Sequence, residues 1–92
     1  MRYVWDPAKD LLNQRKHGLS LAEGIPALED PERDSWIDNR FDYGEERIGT
    51  LGMGKKHVLY VVSTERGESC TRLISVRRAE DDEIERYGLG RS

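Results

Sequence analysis

The sequence is poor in the features that would brace a small chain covalently or hide it in a membrane. It holds one cysteine, Cys70, among 92 residues. That excludes an internal disulfide and a cysteine-built zinc cage, and it suits a reducing cytoplasm. The longest unbroken apolar run, Val58 to Val62, is five residues, against the roughly 20 that a membrane helix needs. Where a secretory signal would place its apolar stretch, Trp5-Asp6-Pro7 sets an acid and a proline, so the expected location is cytoplasmic. No His-Glu-x-x-His, Walker or Gly-x-Gly-x-x-Gly pattern occurs, and metalloprotease, P-loop and dinucleotide readings lack support. The adjacent acids Asp81-Asp82-Glu83 read as a match to a helix dipole rather than as metal ligands. No metal and no cofactor are expected.

What is present is 36% hydrophobic and 36% charged, one domain over residues 1–92. A chain of this size buries only about 60–65% of its unfolded surface, so function belongs on an open face or in a shallow cleft. The net charge of -3 conceals a segregation. Residues 1–52 carry seven basic against eleven acidic side chains, residues 53–79 six against two, and residues 80–92 two against five. The middle segment can attract phosphate although the whole chain is acidic.

Periodicity gives the elements. Met1 to Trp5 alternates as a short strand. Asp6-Pro7 caps a helix in which Ala8, Leu11 and Leu12 recur at helical spacing until His17-Gly18. Ser20 to Glu23 fits a capping box ahead of a second apolar stripe, Leu21, Ile25 and Leu28, which Pro26 must kink or split. Strands are expected at Asp34–Asn39 and Arg47–Leu51, joined by the polar stretch Arg40–Gly44. A buried strand at His57–Thr64 then turns through Glu65–Glu68 into Cys70–Arg77. Ala79–Tyr87 reads as a short helix, with Gly88–Ser92 frayed. The sum is an α+β fold: an antiparallel sheet, with two N-terminal helices and a short C-terminal helix on one face.

The constellation able to carry chemistry is basic. Lys55, Lys56 and His57 enter the buried strand, Glu65 and Arg66 form its exit turn, and Arg72, Ser75, Arg77 and Arg78 lie on the returning strand. Strict alternation puts Ser75 and Arg77 on one face and Arg72 on the other. Joint action of Arg72 with Arg77 would need a twist or bulge near the turn.

These residues resemble the BrnT-type toxins of bacterial type II toxin-antitoxin pairs. The resemblance runs through Trp5-Asp6-Pro7-x-Lys9, Asn13, Lys16-His17-Gly18 and Ser20, then Gly44-Glu45-x-Arg47 and Thr64-x-Arg66. It ends with Arg72-x-Ile74-Ser75-x-Arg77-x-Ala79, Glu83 and Tyr87. It implies a RelE-like ribonuclease fold, endoribonuclease cleavage of RNA, free or presented by the ribosome, and arrest of translation. It also implies neutralisation by a BrnA-like ribbon-helix-helix antitoxin, through which alone the complex meets operator DNA.

RNA supplies its own nucleophile, the ribose 2′-hydroxyl, so such an enzyme needs no metal. By resemblance Arg66, Arg72 and Arg77 bind phosphate and stabilise the transition state, a task suited to a planar, permanently charged fork. Glu65 or His57 would take the hydroxyl proton. Lys55, Lys56, Arg78 and Tyr87 would hold the strand. His17 reads as a residue closing a helix, favourably placed against the dipole. The competing readings are a non-catalytic subunit that holds an antitoxin on DNA, and an acid-base nuclease pairing His17 with His57.

Overall fold

The computed structural model describes residues 1–38 and 44–89. The most apolar stretch becomes the middle strand of five. In chain order the strands are β1 (Arg2–Val4), β2 (Asp34–Asp38), β3 (Arg47–Met53), β4 (Val58–Glu65) and β5 (Cys70–Arg78), laid out as β1-β5-β4-β3-β2. Strands β2 to β5 form an antiparallel meander, whereas β1 runs parallel to β5 at the sheet's edge. The sheet is therefore mixed, a correction to the purely antiparallel expectation. β1 is joined to β5 through all of the intervening chain, residues 5–69, and a long connection can return a strand parallel where a hairpin cannot.

Helix α1 (Pro7–His17) starts at Asp6, whose carboxylate accepts from the Ala8 N–H at 2.9 Å, and ends at Gly18. Pro26 splits the second helical stretch as expected, into a 3-10 turn (Leu21–Gly24) and a single-turn helix α2 (Ile25–Leu28). Helix α3 (Asp81–Leu89) closes the described chain. The connection 39–43 and residues 90–92 lie outside the described residues, and with them Asn39, most of the expected Arg40–Gly44 stretch and the end of the expected frayed tail.

Alternation along β4 divides the core in two. Leu59 and Val61, with Leu73 and Val76 of β5, pack against Leu21 and Ala27 of the 3-10 turn and α2. Tyr60 and Val62, with Leu51 and Ile74, pack against Tyr87 of α3. The helices thus lie on both faces, not one. Gly52 permits the close approach on the first face, since a Cβ there would run into the Ala27 backbone.

The inner face of α1 is polar. Ala8, Leu11 and Leu12 face solvent, and the helix's one buried residue is Asn13. Among the described residues β1 pairs only with Cys70–Arg72, so the rest of that β5 edge lacks a strand neighbour. Asn13 supplies what a strand would have supplied. Its Oδ1 accepts from the Val76 N–H at 3.0 Å, and its Nδ2 donates to the Val76 carbonyl and to the Leu19 carbonyl, both at 2.8 Å. Asp10 likewise turns inward and accepts from the Leu21 N–H at 2.7 Å. Backbone groups at a covered edge need polar partners, so the amphipathic pattern of this helix is inverted.

Candidate functional site

The register of β4 with β5 contains one irregularity, and it decides which arginines share a face. Val62 pairs with Ser75 but Ser63 pairs with Leu73, so β5 carries one extra residue, Ile74. The bulge resets the alternation. Arg72 is opposite Thr64, Ser75 opposite Val62 and Arg77 opposite Tyr60, three alternate positions of β4 that point the same way. Arg72 and Arg77 therefore stand on one face, about 13 Å apart along the strand from four residue steps of ~3.3 Å.

The register organises that face into rows. Asp34, Leu51, Tyr60 and Arg77 make one row, and Trp36, Gly49, Val62 and Ser75 the next. Carried one step further it aligns Asp38, Arg47, Thr64 and Arg72. Gly49 leaves a hollow that the Tyr60 hydroxyl fills on its way to donate to Asp38 at 3.0 Å. Tyr60 thus lies across the face as a floor. The Arg77 guanidinium stacks on it, 4.5 Å from the ring centroid.

Helix α3 closes one end of this surface. Glu83 accepts from Nη1 and Nη2 of Arg77 at 2.7 and 2.9 Å, and Arg77 also donates to the Arg78 carbonyl at 3.2 Å. The Glu83 bond raises the Arg77 pKa above its ordinary value against the opposing cost of burial, so the charge is permanent. Those bonds use three of the five guanidinium N–H groups. Nε–H and the second Nη2 hydrogen, which share one edge of the fork, have no protein acceptor among the described residues. Arg86 of α3 pairs with Asp34 at 2.9 Å and stacks on Trp36. At the other end Glu45 lies 3.6 Å from Arg47 and 3.7 Å from Arg66.

Comparison with known proteins bears on this geometry. Residues 5–83 match the family model described as the ribonuclease toxin BrnT of type II toxin-antitoxin systems. The chain belongs to the BrnT family. A solved structure with the same fold is the ribonuclease toxin BrnT of Brucella abortus, with a TM-score of 0.64 and 23% identity, covering 88% of this chain and 99% of that one. A search of curated proteins gave no match. BrnT membership makes the chain a ribonuclease toxin of a type II pair and implies a cognate antitoxin.

On this BrnT fold the sequence-derived candidates fall into separate groups. Arg72 and Arg77 share one face of the sheet, while Arg66 sits at the exit turn with its side chain 48% exposed. Lys55, Lys56 and His57 line a cleft of about 370 Å³ with Leu19, Ala22, Glu23, Pro26 and Leu59, on the side of the N-terminal helices. Arg78 joins them, its Nη2 lying 3.4 Å from His57 Nδ1. Glu65 pairs with Thr71, one position out of phase with the arginine face. Tyr87 is 4% exposed and donates to Asp30; it anchors α3 and has no open ring face for a base. Arg47, absent from the sequence-derived set, shares the face with Arg72. Counting by twos back from Leu51 was the signal that could have found it.

His17, read from the sequence as a helix-closing residue, lies within electrostatic reach of Arg77. Its pKa is lowered by burial first, then by the charges of Lys16 and Arg77. A lowered folded-state pKa means that the unfolded chain takes up this proton first as pH falls below about 6.5. The His17 contribution is thus absent above that pH and turns destabilising as pH falls through it toward the folded-state value. We expect His17→Gln to flatten the dependence of Tm on pH between 7.5 and 5. Parallel curves for variant and wild type would disprove the assignment.

Proposed function

We propose that this chain is a metal-independent endoribonuclease that cuts RNA by internal attack and so arrests translation, in the RelE-like manner. The ribose 2′-hydroxyl attacks the adjacent phosphorus and the bond to the 5′-oxygen of the next nucleotide breaks. The products are a 2′,3′-cyclic phosphate and a 5′-hydroxyl. A base takes the 2′-hydroxyl proton, and the departing oxygen gains one. Arg72 and the open edge of Arg77 neutralise charge as it grows on the phosphoryl oxygens, with Arg66 beyond Arg72 extending the positive surface along the strand.

The observation that carries this reading is the Ile74 bulge, which supports joint action of two arginines that plain alternation would separate. His17, within electrostatic reach of Arg77 and with its pKa lowered chiefly by burial, suits the proton acceptor better than His57, which faces the cleft beside Arg78. The antitoxin would be of the BrnA-like ribbon-helix-helix type.

The test is an RNA whose cleavage position is first mapped, alone and on translating ribosomes, in excess chelator. A single 2′-deoxy substitution at that position should abolish cleavage there, and the wild-type product should end in a cyclic phosphate. Cleavage that survives the substitution and is lost to chelator would point to metal-activated water. Failure to cut or to arrest growth would leave the antitoxin-holding subunit as the function.

A further inference from the structure

Helix α1 presents outward what a small domain would be expected to keep. Ala8, Leu11, Leu12 and Arg15, at spacings of three and four, form one exposed stripe, with Leu11 58% and Leu12 62% accessible. The inward positions go to Lys9, Asp10, Asn13 and His17. Arg15 on the stripe and Lys16 beside Leu12 give it positive charge, and neither has an ion pair among the described residues. The one acid of the helix, Asp10, is turned onto the Leu21 N–H and Gln14. The surface is thus apolar and cationic on a molecule of net charge -3.

The chemistry of the stripe selects its occupant. Single-stranded RNA would want aromatic rings to stack on, and the stripe has only aliphatic side chains. A second copy joined by a two-fold axis would set Arg15 and Lys16 against themselves. Residues at i, i+3, i+4 and i+7 form the ridge that another helix packs against. We propose that the outward face of α1 is a docking surface for an acidic amphipathic helix of the cognate antitoxin. Leu11 and Leu12 sit among its aliphatic side chains, and Arg15 and Lys16 lie opposite its carboxylates. This rests on the antitoxin partnership and is independent of the cleavage chemistry.

The experiment uses the whole chain and its purified cognate antitoxin, with affinity read by calorimetry. The Leu11→Glu, Leu12→Glu double variant should bind about 100-fold more weakly or worse, from two lost apolar anchors and added repulsion. Its Tm should stay within a few degrees of wild type, and its cleavage of RNA without antitoxin should be unchanged. A second variant, Arg15→Glu with Lys16→Glu, should bind more weakly and lose most of the salt dependence of binding. Wild-type affinity in both variants overturns the proposal. So does a free wild-type chain that sediments as a dimer which the leucine variant dissolves, because the face then holds a second copy. Unfolding of the leucine variant would place those side chains in the core and overturn it as well. Because binding is read directly, a wild-type chain that failed to cut RNA would sink the nuclease reading alone.

Discussion

Arg72→Ala is expected to lower RNA cleavage at least about 100-fold, the scale seen when one preorganised donor is removed from a developing oxyanion, while leaving the fold intact. The structure makes this a clean substitution. Arg72 is half-buried and has no ion pair among the described residues, so its loss exposes no buried partner. The fall should lie mainly in kcat, because charge on the phosphoryl oxygens grows on the way to the transition state. If Arg72 also touches the ground-state phosphate, the plot of log affinity against log salt should flatten by about 0.7 per contact removed. Arg77 will not behave so simply. Its guanidinium holds Glu83 and lies on Tyr60, so Arg77→Ala should lose activity and also loosen α3. Arg77→Lys keeps the charge but not the fork, and should recover little of the rate. An Arg72→Ala protein with native Tm and wild-type cleavage would remove this face from the mechanism.

The parts of the fold legible in the sequence were those written in local chemistry. Asp6-Pro7 opening a helix, Pro26 splitting one, and Val58–Val62 as the buried strand depend on a few adjacent residues, and each element formed where its residues ask for it. The errors came from pairings between distant segments. β1 looks like any edge strand until its parallel neighbour is known, and nothing near Asp81 says that α3 crosses to the face opposite α2. The candidate site shows the same division. Its arginines can be read from the chain, but the fact that unites two of them is the single extra residue at Ile74, which exists only relative to β4. Basic residues near in sequence, such as Arg77 and Arg78, separate by strand parity, and Arg78 joins His57 by the cleft.

The inverted helix gives the largest expected effect on stability. At position 13, at the centre of α1, the sequence offers Asn, and hydrophobic bookkeeping would rate Asn13→Leu as an improvement at a site only 6% exposed. We expect the opposite. Leucine fills the space but cannot bond to the N–H and carbonyl of Val76 or the carbonyl of Leu19. Each buried backbone group left unpaired costs about 1–3 kcal/mol. A loss of roughly 3 kcal/mol is a large share of the ~5–14 kcal/mol available to a chain of this length. In a domain of this size it corresponds to a fall in Tm of at least about 12 °C. Asn13→Asp separates the two halves of the amide: it keeps the acceptor for the Val76 N–H but sets a carboxylate oxygen against two carbonyls, and should be no better. Leu12→Gln, one residue earlier and facing solvent, should shift Tm by no more than about 4 °C, within the ±0.5 kcal/mol usual for surface changes. Thermal unfolding of the three variants beside wild type decides the matter. If Asn13→Leu melts at or above the wild-type temperature, α1 is held by apolar contact after all, and Asn13 does not stand in for a strand.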